Sequence, residues 1–261
     1  MPYIERTIRS GRLLEIDRYF AATNGNRAPR GRKENLTSEE QQEINDRQAQ
    51  RRLLRLINAN FDGRRGDLFV TMTHAERVDE AEARRQMGRM IKRMRAARQK
   101  AGLEDLRYIL ITEQQSGRWH HHLICNGGLT LEQLLELWER RGRVQASILD
   151  EHYSYADLAR YLTQQHKPRR GETGGDNAKA PRERYKRRWS SSHNLRQPEV
   201  KKREIKQTLL RRDPKPPKGW RLLPEWQRGA DRWGNLYLHF ECVLLEETQT
   251  TDKKRKERKR E

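Results

Sequence analysis

The residues best suited to chemistry lie in the segment 118–126 (RWHHHLICN), which reads as a β-strand. His120 and His122 are two positions apart, so on a strand both project from the same face, while His121 projects from the other. Residues 106–113 (LRYILITE) read as a buried strand ending in Glu113, and a tight turn at 114–117 brings that carboxylate opposite the histidines. Two imidazole nitrogens and one carboxylate leave open positions on a divalent ion, as catalysis requires and a closed structural site does not. A plainer reading fits the same residues: half-exposed strand histidines in a basic protein, or His122 satisfied in the core. The opposed Glu113 favours the metal site.

A second candidate sits in residues 154–166 (SYADLARYLTQQH), which read as a helix. Tyr155, Leu158, Ala159 and Leu162 form its apolar stripe, and Tyr161 lies roughly 100° away from the centre of that stripe, where its hydroxyl can reach a cleft. Asp157 and Gln165 neighbour it at i−4 and i+4. A tyrosine packing its ring at the core boundary is the plainer reading. With an ordinary pKa near 10, a phenol that attacks a phosphodiester needs a base, or an electrophile activated by a metal on the phosphate oxygens.

The elements that must position these groups follow from periodicity. Residues 3–20 suggest two strands around Ser10 and Gly11, and 24–33 a linker. Thr37 and Glu40 form a capping box for a helix running to about Asn60. Residues 67–74 are β-rich. Asp79 with Glu82 starts a long helix ended by Gly102, its stripe being Ala83, Met87, Met90, Ile91, Met94 and Ala101. After the hairpin, Thr130 and Gln133 cap a helix, 144–149 is a short strand, and the tyrosine helix ends before Pro168. The order β-α-β-β-α-β-α predicts an α+β fold, an antiparallel sheet with helices packed on it in a split βαβ arrangement, with a basic C-terminal extension. Residues 233–245 are expected to add an edge strand.

Three segments resemble a known family. Phe69-Val70-Thr71-Met72-Thr73 is similar to the first strand motif of HUH endonucleases, Gly117–Leu123 to their His-hydrophobic-His motif, and Leu158–Thr163 to their tyrosine motif. His121 stands where an apolar residue is usual. The resemblance is closest to rolling-circle replication initiators of bacterial plasmids, phages and related mobile elements, and 3–19, 30–33, 55–61 and Trp189, Leu195 and Pro198 resemble their flanking features. It implies that His120 and His122, with Glu113 as third ligand, bind Mg²⁺ or Mn²⁺ at the scissile phosphate. Tyr161 would then attack single-stranded or hairpin origin DNA, leaving a 5′-phosphotyrosine link and a free 3′-hydroxyl. Many members carry Lys three residues after the tyrosine. Gln164 stands here, so Arg160 or Lys167 would share in positioning the phosphate. Tyr155 sits in the apolar stripe, which favours a one-tyrosine mechanism.

Charge identifies the partner class. The 261 residues carry 57 Lys and Arg against 37 Asp and Glu, a formal net charge of +20, with only 33% hydrophobic residues. No apolar run is long enough to span a bilayer, and two cysteines exclude a disulfide scaffold and fit a reducing compartment. Most of the surplus falls in 167–218 and in the last ten residues. There Lys167, Arg169, Arg170, Arg184, Lys186, Arg187, Arg188 and Trp189, with Arg160, form the expected DNA contacts, aromatics for bases and cations for phosphates. The expected organisation is 1–60 an N-terminal hairpin and helix, 61–166 the nicking core, 167–218 a basic DNA-binding segment, 219–250 strands packing on the core, and 251–261 a basic disordered tail. No Walker A pattern occurs, so unwinding and synthesis would fall to a host helicase and DNA polymerase in the cytoplasm of a bacterial host, with no membrane partner. A mobilisation relaxase, a noncatalytic nucleic-acid binder on the same plan, and a zinc-stabilised transcription or RNA-associated factor are the rival readings.

Overall fold

The computed structural model describes residues 3–21, 39–115, 117–164, 189–231 and 233–245. In chain order its elements are β1 (Tyr3–Ser10), β2 (Leu13–Phe20), α1 (Glu39–Asn60), β3 (Leu68–His74), α2 (Glu80–Lys100), β4 (Tyr108–Gln115), β5 (Arg118–Cys125), α3 (Leu131–Leu137), β6 (Gly142–Ile148), α4 (Ala156–Gln164), β7 (Ser190–Ser191), β8 (Glu199–Ile205), α5 (Thr208–Arg211), β9 (Trp220–Ala230) and β10 (Leu236–Leu244). The class is α+β: two antiparallel five-stranded sheets with helices packed on them. The chain divides into a terminal unit, Met1–Arg30 with Glu199–Glu261, and a central unit, Gly31–Pro198. Among the described residues no helix is long and apolar enough to cross a membrane.

In the central unit the strand order is β6-β3-β5-β4-β7. β5 lies antiparallel between β3 and β4, which α2 connects, so the split βαβ plan is present. Strict alternation along β3 buries Leu68, Val70, Met72 and His74 on one face and turns Phe69, Thr71 and Thr73 to the other. The first face packs under α2 and α3 through Met87, Met90, Met94, Leu134 and Trp138. The second packs under α1 and α4 through Leu53, Ile57, Phe61, Ala159 and Leu162. The α2 cap is as expected: the Asp79 carboxylate accepts from the Glu82 amide at 2.7 Å, and Gly102, at φ 64°, follows the helix end. Ala101 is exposed rather than part of the stripe. Arg98 is buried instead, donating to the carbonyls of Glu104 (2.8 Å) and Gly127 (2.6 Å). Gly142 opens β6 at φ 154°, where a Cβ would stand 1.9 Å from the Thr73 carbonyl oxygen, so only glycine admits the edge strand this close to β3.

In the terminal unit the order is β8-β1-β2-β10-β9, around a core of Leu14, Ile16, Leu238, Phe240 and Cys242. Three expectations are corrected here. β1 and β2 share a sheet with β8, β9 and β10 and group apart from α1, so 1–60 is not one piece. The expected edge strand is the interior strand β10, paired to β2 on one side and to β9 on the other. β9 and β10 thus belong to the terminal sheet, which β8 joins from 199–218, and α5 lies in the same unit. The alternating Leu238, Phe240 and Cys242 are fully buried, as an interior strand requires. The linker 24–33, Thr37 of the expected capping box and the tail 251–261 lie outside the described residues.

Candidate active site

The β4–β5 hairpin pairs Glu113 with His120 and Ile111 with His122, and β5 pairs with β3 so that Thr71 opposes His122 and Thr73 opposes His120. Directly opposed residues share a face, so Glu113, His120, His122, Thr71 and Thr73 all project toward the α1–α4 layer. His122 is buried and tightly held. Its Nε2 is 2.9 Å from Glu113 Oε1 and its Nδ1 is 3.2 Å from Thr71 Oγ1. Phe69 stacks on its ring at 5.9 Å, 8° from parallel. His120, half-buried, repeats the pattern with Nδ1 3.1 Å from Thr73 Oγ1. Both histidines therefore hold Nδ1 on a threonine, and His122 turns its Nε2 to Glu113.

Tyr161 reaches the same place from α4. Tyr155, Ala159 and Leu162 bury one side of that helix against α1. The Tyr155 hydroxyl donates to the Asp150 carbonyl at 2.8 Å, which fits its place in the buried stripe, and burial pushes that phenol up to about 12. Tyr161 is 49% exposed, and its ring meets His122 edge-on, centroids 5.9 Å apart at 78°. The four residues singled out for chemistry, drawn from three elements, are thus gathered on one face.

The donor set of two imidazoles and one carboxylate suits a divalent cation. As placed, however, no group of three or more His, Cys, Asp or Glu among the described residues could hold a metal ion. His122 Nε2 and Glu113 are instead bonded to each other. This is also how a buried histidine is satisfied in a core, so the plainer reading of His122 keeps a structural basis.

His121 faces the opposite layer. It is fully buried, with Nε2 3.0 Å from His74 Nε2 and Nδ1 2.9 Å from Thr112 Oγ1, and both rings meet Trp138 edge-on. Burial pushes the His121 imidazole down to about 3, with the His74 charge adding to it. In the neutral pair one nitrogen donates to the other, which is how a histidine occupies an apolar position. Sequence reasoning missed His74, Thr71 and Thr73 as partners. Their signal was the odd-even spacing 71, 73 in register with 120, 122, visible only once β3 is paired with β5.

Of the expected DNA contacts, Arg160 is exposed and ion-paired with Asp157 at 2.8 Å. Trp189 is half-buried against the α1–α4 cluster. Lys167, Arg169, Arg170, Arg184, Lys186, Arg187 and Arg188 lie outside the described residues.

Residues 67–166 match the family described as replication-associated protein ORF2/G2P. The match runs from the residue before β3 to just beyond α4 and contains every residue of the gathered face. This similarity to replication-associated proteins is consistent with a replication initiator. Comparison with curated proteins and with solved structures finds no match.

Proposed function

We propose that the protein is an HUH-type replication initiator that nicks and rejoins single-stranded origin DNA through Tyr161. The observation that carries this reading is the convergence of Tyr161 with His122, Glu113 and His120 on one sheet face, inside the segment that resembles replication-associated proteins. His120, His122 and Glu113 would hold Mg²⁺ or Mn²⁺. When bound, such an ion supplies Lewis-acid polarisation of the phosphate oxygens. The Tyr161 hydroxyl attacks phosphorus, one O–P bond forms as the bond to the 3′ oxygen breaks, the phenol gives up its proton and the released 3′ oxygen takes one up. One ester replaces another, so the step runs in either direction without a nucleoside triphosphate. The free 3′-hydroxyl primes rolling-circle synthesis, for which a host helicase and polymerase are the partners in the bacterial cytoplasm. A mobilisation relaxase would use the same chemistry at a transfer origin.

The test is incubation with Mn²⁺ and single-stranded oligonucleotides from the protein's own element, followed by a denaturing gel. A shifted covalent band is expected, abolished by Tyr161→Phe and by chelator. A band that survives Tyr161→Phe moves the nucleophile elsewhere. The bonded His122–Glu113 pair supports one rival, a noncatalytic nucleic-acid binder with structural histidines. That protein would give no band with any cognate strand, and would bind DNA equally with and without metal.

A further inference from the structure

Outside the gathered face, exposed aromatics concentrate on one hairpin of the terminal unit. β9 is an edge strand, and the register sets Trp226 opposite Phe240, Arg228 opposite Leu238 and Trp220 opposite Leu244, all on the face that holds the Leu238–Phe240–Cys242 core. Trp220 borders that core, and the Arg9 guanidinium lies over its ring at 5.6 Å. Further along the strand Trp226 is 37% exposed, with the Arg228 guanidinium 5.0 Å from its ring centroid. Arg228 is itself fixed, donating to the Arg212 carbonyl at 2.7 Å and to the exposed Asp213 carboxylate at 3.2 Å, an ion pair that a phosphate would have to share or displace.

The turn between β9 and β10 carries Trp233, 70% exposed. One Asp231 carboxylate oxygen accepts from the amides of Trp233 and Asn235, each at 2.9 Å, and Gly234 takes φ 80°. The turn is therefore closed by its own hydrogen bonds, and the Trp233 side chain stands largely exposed on it. Across 199–231 the chain carries ten Lys and Arg against five Asp and Glu.

Flat π faces beside guanidinium groups in a stretch of net positive charge match unpaired bases on a phosphate backbone. A duplex hides its base faces and would make no use of the indoles. We propose that the outer edge of β9 with the Trp233 turn is a single-stranded DNA-binding surface, with Trp226 and Trp233 as stacking platforms and Arg9 and Arg228 serving the phosphates. It rests on the reading of DNA as the partner, and it requires nothing of Tyr161.

The experiment uses the full chain in the Tyr161→Phe background, so that cleavage does not enter. Anisotropy of a labelled single strand and of the same sequence as duplex is compared for that parent, Trp226→Ala with Trp233→Ala, and Trp226→Phe. The double variant is expected to bind the single strand roughly ten- to a hundredfold more weakly and the duplex nearly as before, while Trp226→Phe stays within a few-fold of the parent. An unchanged melting temperature checks the fold, and Trp233→Ala alone, in the exposed turn, gives an intermediate loss. Single-strand binding within twofold of the parent in a folded double variant overturns the proposal. So does an equal loss for duplex. Failure of the nicking assay leaves this result standing, and a null result here leaves the nicking reading untouched.

Discussion

A hydroxyl can donate or accept a hydrogen bond, and that freedom matters beside His120 and His122. With Thr71 donating to His122 Nδ1, the proton sits on Nε2 and is donated to Glu113, the arrangement that the 2.9 Å and 3.2 Å contacts describe. If Nε2 instead coordinates a cation, its proton must leave, Nδ1 becomes the donor, and the Thr71 hydroxyl turns to accept. A carboxylate at position 71 could only accept and would lock one form. Thr71→Val keeps the shape and removes both roles, so it is expected to weaken Mn²⁺ binding by roughly tenfold, whereas Thr71→Ser stays close to the parent. Titration of free Mn²⁺ by electron paramagnetic resonance reads this without any DNA, and equal affinity for Val and the parent contradicts it. The shared face of Glu113, His120 and His122 was legible in the sequence because strand period and a short hairpin are local facts, and the place of Tyr161 off the apolar stripe because helical period is another. The threonines and His74 were not, because their partners lie 47 to 51 residues away and need the β3–β5 register.

Elements were legible where local chemistry announces them and obscure where pairing decides. The Asp79 cap and the Thr130–Gln133 capping box stand as the sequence pattern required. β9 went unread because WRLLPEWQRGA holds Pro224 and Gly229, breaks alternation at a register shift opposite Phe240–Cys242, and carries charge. β10 was read as an edge because nothing in its own residues reveals partners on both sides. Those partners do leave a titratable mark. Asp17 on β2 accepts from His239 on β10 at 2.7 Å and from Arg6 on β1 at 2.6 Å, tying three strands together. Burial alone would raise this carboxyl, but the hydrogen bonds from His239 and Arg6 outweigh it and bring the group down to about 2. The Asp17 hydrogen bond raises His239 above its usual value, against an opposing burial effect. The Asp17 contribution is present above about pH 4 and lost as pH falls toward 2. The His239 contribution is full below about pH 6.5 and lost as pH rises through its raised value. Asp17→Asn should therefore cost on the order of 2 kcal/mol at pH 5.5 and distinctly less at pH 9, measured by urea unfolding. An equal cost at both pH values rules out the His239 part of the account.

At the scale of the whole chain, the net charge of +20 is not spread evenly. The matched stretch holds a basic helix, α2, with eight Lys and Arg against two Glu, but acidic residues around it bring the segment near balance. The larger surplus follows α4, in 167–218, and in the last ten residues. Phosphate neutralisation releases counterions, so each contact to a single strand adds about 0.7 to the slope of log affinity against log salt. Stacking adds affinity without adding to that slope. The two classes of contact proposed for this protein are thus separable by one titration. Replacing Arg184, Lys186, Arg187 and Arg188 together by Ala should weaken single-strand binding at low salt and lower the slope by about 3. Replacing Trp226 and Trp233 should weaken binding by a similar amount at every salt concentration and leave the slope alone. A four-residue variant whose slope matches the parent would remove the segment 184–188 from the DNA contacts and place the counterion release on other cations, among them those of α2 and β8.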